Sequence, residues 1–113
     1  EGLDGPSLVE LASQLLRQDD EGFAEMFRAS PIKRAKRTGL LRNVCVALGN
    51  WGVEDAVPVL ASAMSDVAPL VRGHAAWALG RVGSPAALAA LSSRLGKESD
   101  PFVLEEVGLA LGK

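Results

Sequence analysis

The tripeptide Ala-Leu-Gly occurs three times in this chain, at residues 47–49, 78–80 and 110–112, at intervals of 31 and 32 residues. Self-similarity at such a period marks an array in which one supersecondary unit stacks on the next, each burying its apolar face against its neighbours. The flanking residues keep the same register. ALGNWGVEDAVPVL (47–60) aligns with ALGRVGSPAALAAL (78–91), and Pro69-Leu70-Val71 aligns with Pro101-Phe102-Val103. Every unit therefore reads as a helix, a glycine-containing turn and a second helix.

Helix ends are legible from their caps. In the second unit Pro69 suits a first helical turn, and Leu70, Val71, Ala75, Ala78 and Leu79 trace an apolar stripe. Gly80 and Gly83 are expected to supply the positive-φ positions that end it. Its partner starts at Ser84-Pro85 and runs through Leu88, Leu91 and Leu95 to Gly96. The first unit is expected to hold helices at about 38–49 and 53–64, and a last helix follows Asp100-Pro101. Upstream, Ser7 is the expected cap of LVELASQLLRQ, and a second helix from Asp19 or Asp20 would align Phe23, Met26 and Phe27. Ser30-Pro31 would open a short basic helix ending near Thr38-Gly39. These N-terminal helices do not match the repeat and suit an atypical capping unit. No segment alternates β-branched and polar residues, so no sheet is expected. The fold class that follows is all-α: an α-solenoid of HEAT-like two-helix repeats over 39–113, closed by capping helices and a basic turn over 1–38, in a single domain of 113 residues.

With a net charge of −2 the chain has no global attraction for polyanions, so binding of that kind must come from local segregation of charge. Such segregation is present. Residues 28–42, RASPIKRAKRTGLLR, contain Arg28, Lys33, Arg34, Lys36, Arg37 and Arg42 and no acidic residue. Lys33, Arg34, Lys36 and Arg37 fall within a turn or two of helix, with no Asp or Glu at i+4 to neutralise them. Phosphates would answer them through Coulomb attraction and bidentate guanidinium contacts; the plainer alternative is a solvated helix face. Arg42 and Asn43 open the first repeat's leading helix, while Arg72, His74 and Arg81 lie in or just after its equivalent, so the basic surface could extend along the array. Arg72 could equally be structural, covering apolar surface with its stem and binding a neighbouring repeat's carbonyl or acid.

One Cys and one His cannot form an internal disulfide, a four-ligand zinc site or an iron–sulfur cluster. His74 has no companion Ser, His or carboxylate in a catalytic pattern, so hydrogen bonding on a helix surface is expected of it, with contact to RNA as the other reading. Trp77, in an Ala-rich helix, is expected in the core; Trp51 either packs over a repeat junction or offers a face to a base. Gly108 to Lys113 lacks the spacing of a phosphate loop. Glu105 and Glu106, about 100° apart on a helix, do not make a catalytic pair. No apolar run approaches the ~20 residues that span a bilayer, and no stretch has the pattern of a signal peptide, so a cytoplasmic chain is expected. The opening EGLDGP without an initiator Met and the ending LALGK, just after a helical pattern, read as a piece cut from a longer protein.

The run Phe23-x3-Phe27-x2-Ser30-Pro31-Ile32-Lys33-Arg34, followed by Leu40-Leu41-Arg42-Asn43-Val44-x-Val46-Ala47-Leu48-Gly49-Asn50, resembles the C-terminal region of epoxyqueuosine reductases. PLVRGHAAWALGRVG is similar to their HEAT-like repeats, and the likeness runs from about residue 7 onward. The resemblance implies a parent enzyme that uses cobalamin and two [4Fe–4S] clusters to reduce epoxyqueuosine to queuosine at the tRNA wobble position. Its cofactor ligands and catalytic residues would lie upstream, leaving none in this chain. It also implies that the helical region helps to hold the tRNA anticodon stem-loop, with that tRNA and the catalytic core of the same polypeptide as partners. On the matching motif Lys33, Arg34, Arg42 and Asn43 are assigned to RNA contact; Lys36 and Arg37 join them on charge alone. The competing expectation is a HEAT-like scaffold that binds protein and not RNA, presenting the same basic face to an acidic partner.

Overall fold

Each of the six prolines occupies the first or second position of one helix, where a missing N–H costs no hydrogen bond and a fixed φ favours the helical turn. The computed structural model describes residues 4–17 and 31–112, with side chains of the second stretch described from residue 35. Among the described residues the elements are α1 (Gly5–Arg17), α2 (Pro31–Trp51), a 3-10 turn (Glu54–Ala56), α3 (Val57–Ala63), α4 (Pro69–Val82), α5 (Pro85–Leu95) and α6 (Pro101–Ala110), with no strand. This is the all-α repeat architecture that the period implied. The helix expected from Asp19 or Asp20 lies outside the described residues, as does the Ser30 cap.

The leading helices α2, α4 and α6 lie side by side, and the trailing helices α1, α3 and α5 form a second layer against them. The result is a slab of 39 × 37 × 18 Å, whose thickness is that of two packed helices. Its core is the seam between the layers: Leu41, Val44, Cys45 and Leu48 of α2, Val71, Ala75 and Leu79 of α4, and Val103 and Val107 of α6 meet Leu60 and Leu91 from the trailing side.

The first two Ala-Leu-Gly glycines serve close approach. A Cβ on Gly49 would stand 2.6 Å from Trp77 Cζ3 and 3.0 Å from Ala78 Cα, and one on Gly80 would stand 2.7 Å from Ala110 Cβ. Each glycine thus receives the alanine of the next Ala-Leu-Gly. This corrects the expectation for Gly80, which lies inside α4; the left-handed turn that ends α4 belongs to Gly83 alone, at φ 66°, and Gly52 does the same after α2 at φ 67°.

Three other boundaries differ from the sequence reading. The basic helix does not stop at Thr38-Gly39 but continues to Trp51, because Arg37 and Leu41 are both buried and hold the glycine between them in helix. That outweighs the ~1 kcal/mol that glycine costs a helix interior. The cap of α1 is Asp4, whose Oδ1 accepts the Ser7 N–H at 2.9 Å, and not Ser7. The expected 53–64 helix opens as the 3-10 turn before α3. Ser84 and Asp100 cap α5 and α6 as expected, Ser84 Oγ accepting the Ala87 N–H at 3.2 Å and Asp100 Oδ1 the Phe102 N–H at 2.9 Å.

Candidate nucleic-acid interface

The basic run divides into two chemically different sets once α2 is a continuous helix. Counting back four residues from buried Leu41 reaches Arg37, which lies on the core face and is 5% exposed. Its Nη2 is 2.6 Å from Asp66 Oδ1, Nη1 is 3.4 Å from Oδ2, and Nε donates to the Leu15 carbonyl at 3.1 Å. That carbonyl is in the last turn of α1, where the helix itself offers no partner. Arg37 therefore ties α1, α2 and the turn before α4 together, and its guanidinium is withdrawn from the surface assigned to RNA.

Arg72 does the equivalent work one unit on. Its Nε and Nη2 donate to Glu98 at 2.9 and 3.0 Å, and Nη1 donates to the carbonyls of Asp66 and Val67 at 2.8 and 3.2 Å. Of the two readings left open for Arg72, the structural one holds. Asp66 and Glu98 each stand three residues before the proline of the next leading helix, and each accepts the N–H two residues on, Ala68 at 3.0 Å and Asp100 at 3.1 Å. An acid before the proline and an arginine from the preceding leading helix form a clamp repeated between units.

Glu98 is also held by Arg94 at 3.1 Å, and its side chain is 1% exposed. The Arg72 hydrogen bonds, above all, hold its carboxyl down to about 2, with burial opposing and the Asp100 N–H and Arg94 assisting. A folded-state value below the usual 4.5 stabilises the fold fully above that pH, and the contribution is lost as pH falls from there through about 2. We expect Glu98→Gln to flatten the stability profile over that window and to cost on the order of 3 kcal/mol at neutral pH, measured by urea unfolding at stepped pH.

The remaining members of the basic set stay on the outside. Lys36 and Asn43 are exposed and Arg42 is half-buried, its Nε donating to Asn43 Oδ1 at 3.2 Å. Lys36 and Asn43 are seven residues apart and share one helix face. Among the described residues neither Lys36 nor Arg42 has an acidic partner. Lys33 and Arg34 occupy the first turn of α2, and their side chains lie outside the described set. No acidic residue stands in that turn, so the cations oppose the positive end of the helix dipole and do not serve the helix's own stability.

The aromatic residues are placed by glycines. Trp51 covers Gly5 of α1, so it packs over a junction. Trp77, expected in the core, is only half-buried on the outer face of α4, with the Arg81 guanidinium 5.7 Å from its ring centre. His74 Nδ1 lies 2.8 Å from the Leu70 carbonyl. Among the described residues no three His, Cys, Asp or Glu side chains are grouped for a metal, and burial, with the Asp66 charge assisting, pushes the lone Cys45 thiol up to about 12. None of the described helices is long and apolar enough to cross a membrane.

Helices opened by proline, a leading layer joined Gly-on-Ala, and arginine clamps between units define a helical-repeat protein, and residues 32–112 match the HEAT repeats: the chain belongs to that family. Over 108 residues it is 32% identical to the epoxyqueuosine reductase of Bacillus cereus, covering 94% of this chain and 28% of that protein. The epoxyqueuosine reductase of Bacillus subtilis is 36% identical over 105 residues (91% of this chain, 26% of that protein), and that of Xanthomonas campestris 41% over 71 residues (62% and 20%). The resemblance read from the sequence is borne out, and the chain spans about a quarter of the length of these relatives. No solved structure matches it at a comparable level of significance.

Proposed function

We propose that this chain is the tRNA-positioning repeat region of an epoxyqueuosine reductase, holding the anticodon stem-loop while a catalytic core of the same polypeptide, with cobalamin and two [4Fe–4S] clusters, acts on the base in the cytoplasm. The relatives supply the reductase; what carries the RNA-facing part is the uncompensated Lys36 and Arg42 beside Asn43 on the outside of α2. Lys33 and Arg34 stand in the first turn of the same helix, whose N–H groups add to the attraction for phosphate. Contacts of this kind set the register of the RNA and leave sequence reading to other groups. In this reading the whole chain, 1–113, works as one domain.

Titration of the chain with an anticodon stem-loop across a salt series tests it. Alanine at Lys33, Arg34, Lys36 or Arg42 is expected to weaken binding and to lower the log–log salt slope by about 1 for each phosphate that is no longer neutralised. Asn43→Ala is expected to weaken binding with the slope unchanged, because a neutral amide releases no counterion. Unaltered affinity and slope in all four cation variants would return the row to the protein-scaffold reading.

A further inference from the structure

The outer face of α4 carries a notch that the phosphate row does not use. It encloses about 280 Å3 and is lined by Val46 of α2, Gly73, His74 and Trp77 of α4, and Phe102 and Glu106 of α6. Its floor is the Phe102 ring, which packs onto buried Gly73 in the space that a side chain there would need. Its walls are aromatic. Trp77 is half-buried, Phe102 is 37% exposed, and the His74 and Phe102 rings stand 6.0 Å apart at 50°.

His74 and Glu106 supply acceptors at the rim. A carbonyl cannot donate, so the 2.8 Å contact with Leu70 O places the proton of neutral His74 on Nδ1 and leaves Nε2 as an acceptor. The Glu106 carboxylate is half-buried and has no hydrogen-bond or ion-pair partner among the described residues. Asn43, His74 and Glu106 follow one another at 31 and 32 residues, the repeat interval, so the notch stands in line with Asn43 on the first leading helix, which lies beside Arg42.

We infer that this notch is a nucleobase site, taking a single unstacked base that carries an exocyclic amine. The aromatic walls stack on its π-face, which every base has. Selection comes from the rim: the amine of adenine, cytosine or guanine donates to Glu106, whereas uracil brings carbonyl oxygens to both sides of its one Watson–Crick N–H and sets them against acceptors. The Glu106 charge repels phosphate, so the base edge enters and the backbone stays out toward Lys36 and Arg42. At this volume the notch sits at the small end of ligand sites, which suits one ring system and no extended ligand. The physiological ligand rests on the RNA reading above; the chemistry of the notch does not, and nucleosides without phosphate probe it alone.

The test follows the Trp77 indole N–H resonance of the 15N-labelled chain, assigned by comparison with Trp51→Phe, during titration with adenosine, cytidine and uridine. Adenosine and cytidine are expected to shift it saturably, with uridine at least about 5-fold weaker, the lower end of the discrimination that hydrogen bonds to a base edge supply. Glu106→Gln, isosteric at a half-exposed position, is expected to abolish that preference while stacking persists, and Phe102→Ala to weaken all three by about 5- to 150-fold. No response to any nucleoside, or an equal response to all three that Glu106→Gln leaves unchanged, overturns the site. Nucleoside binding without salt-dependent stem-loop binding keeps the notch and removes the RNA-positioning reading. Stem-loop binding through Lys36 and Arg42 with a silent Trp77 removes the notch alone.

Discussion

Arg37→Ala is expected to lower folding stability by on the order of 3–5 kcal/mol, the range for removing one partner of a buried ion pair. The loss arises mainly from what is left behind. Asp66, with its side chain 1% exposed, would keep its charge without the guanidinium 2.6 Å away, and the Leu15 carbonyl would lose its donor. Against a total stability of ~5–15 kcal/mol this is enough to leave a substantial fraction unfolded on modest warming. Arg37→Lys should recover little, because a lysine ammonium cannot reach two carboxylate oxygens and a carbonyl in one plane. Urea unfolding followed by far-UV circular dichroism measures the loss; a cost under about 1 kcal/mol would mean that the guanidinium is solvated and would restore Arg37 to the RNA-facing row.

Alanine at two glycines is expected to act with opposite sign. At Gly108 nothing lies within 4 Å of an added Cβ, so Gly108→Ala gains helix propensity and stabilises by up to about 1 kcal/mol. Gly49→Ala has the same local gain, but its Cβ meets Trp77 Cζ3 at 2.6 Å and the Ala78 backbone at 3.0 Å, and α2 and α4 must part. Overpacking of that kind costs about 1–3 kcal/mol, so the variant should be destabilised, and Gly49→Val more so. The urea midpoints of the two alanine variants, read side by side, decide it: stabilisation by both would show that the leading helices do not depend on the glycine contact.

Local chemistry makes much of the fold readable, and the departures from it share a cause. Ser84-Pro85 and Asp100-Pro101 place a cap and a first-turn proline next to each other, and the helices start there. Gly80 and Gly83 look alike as helix stops because each is a glycine near a helix end; only packing against Ala110, 30 residues away, separates a contact glycine from a turn glycine. Asp4 and Ser7 are both cap residues by type, and Pro6, which marks the first turn of α1, is the signal that favours Asp4. In the basic run, Lys36 and Arg37 are indistinguishable by charge. What separates them is the stripe Leu41, Val44, Cys45, Leu48, which extended backward by one turn lands on Arg37, and a helix end placed at Gly39 conceals it. The aromatic notch has no local signature, since Val46, Trp77 and Phe102 come from three units and meet only when α2, α4 and α6 lie side by side.

The glycine contacts also make the two layers unequal in how closely their helices are joined. Leading helices are drawn together wherever a glycine admits an alanine, while α1, α3 and α5, which have no such stitch, touch one another far less. A change at Gly49 or Gly80 is therefore felt first in the leading layer, and with it in the spacing of Asn43, His74 and Glu106, which repeat along that layer.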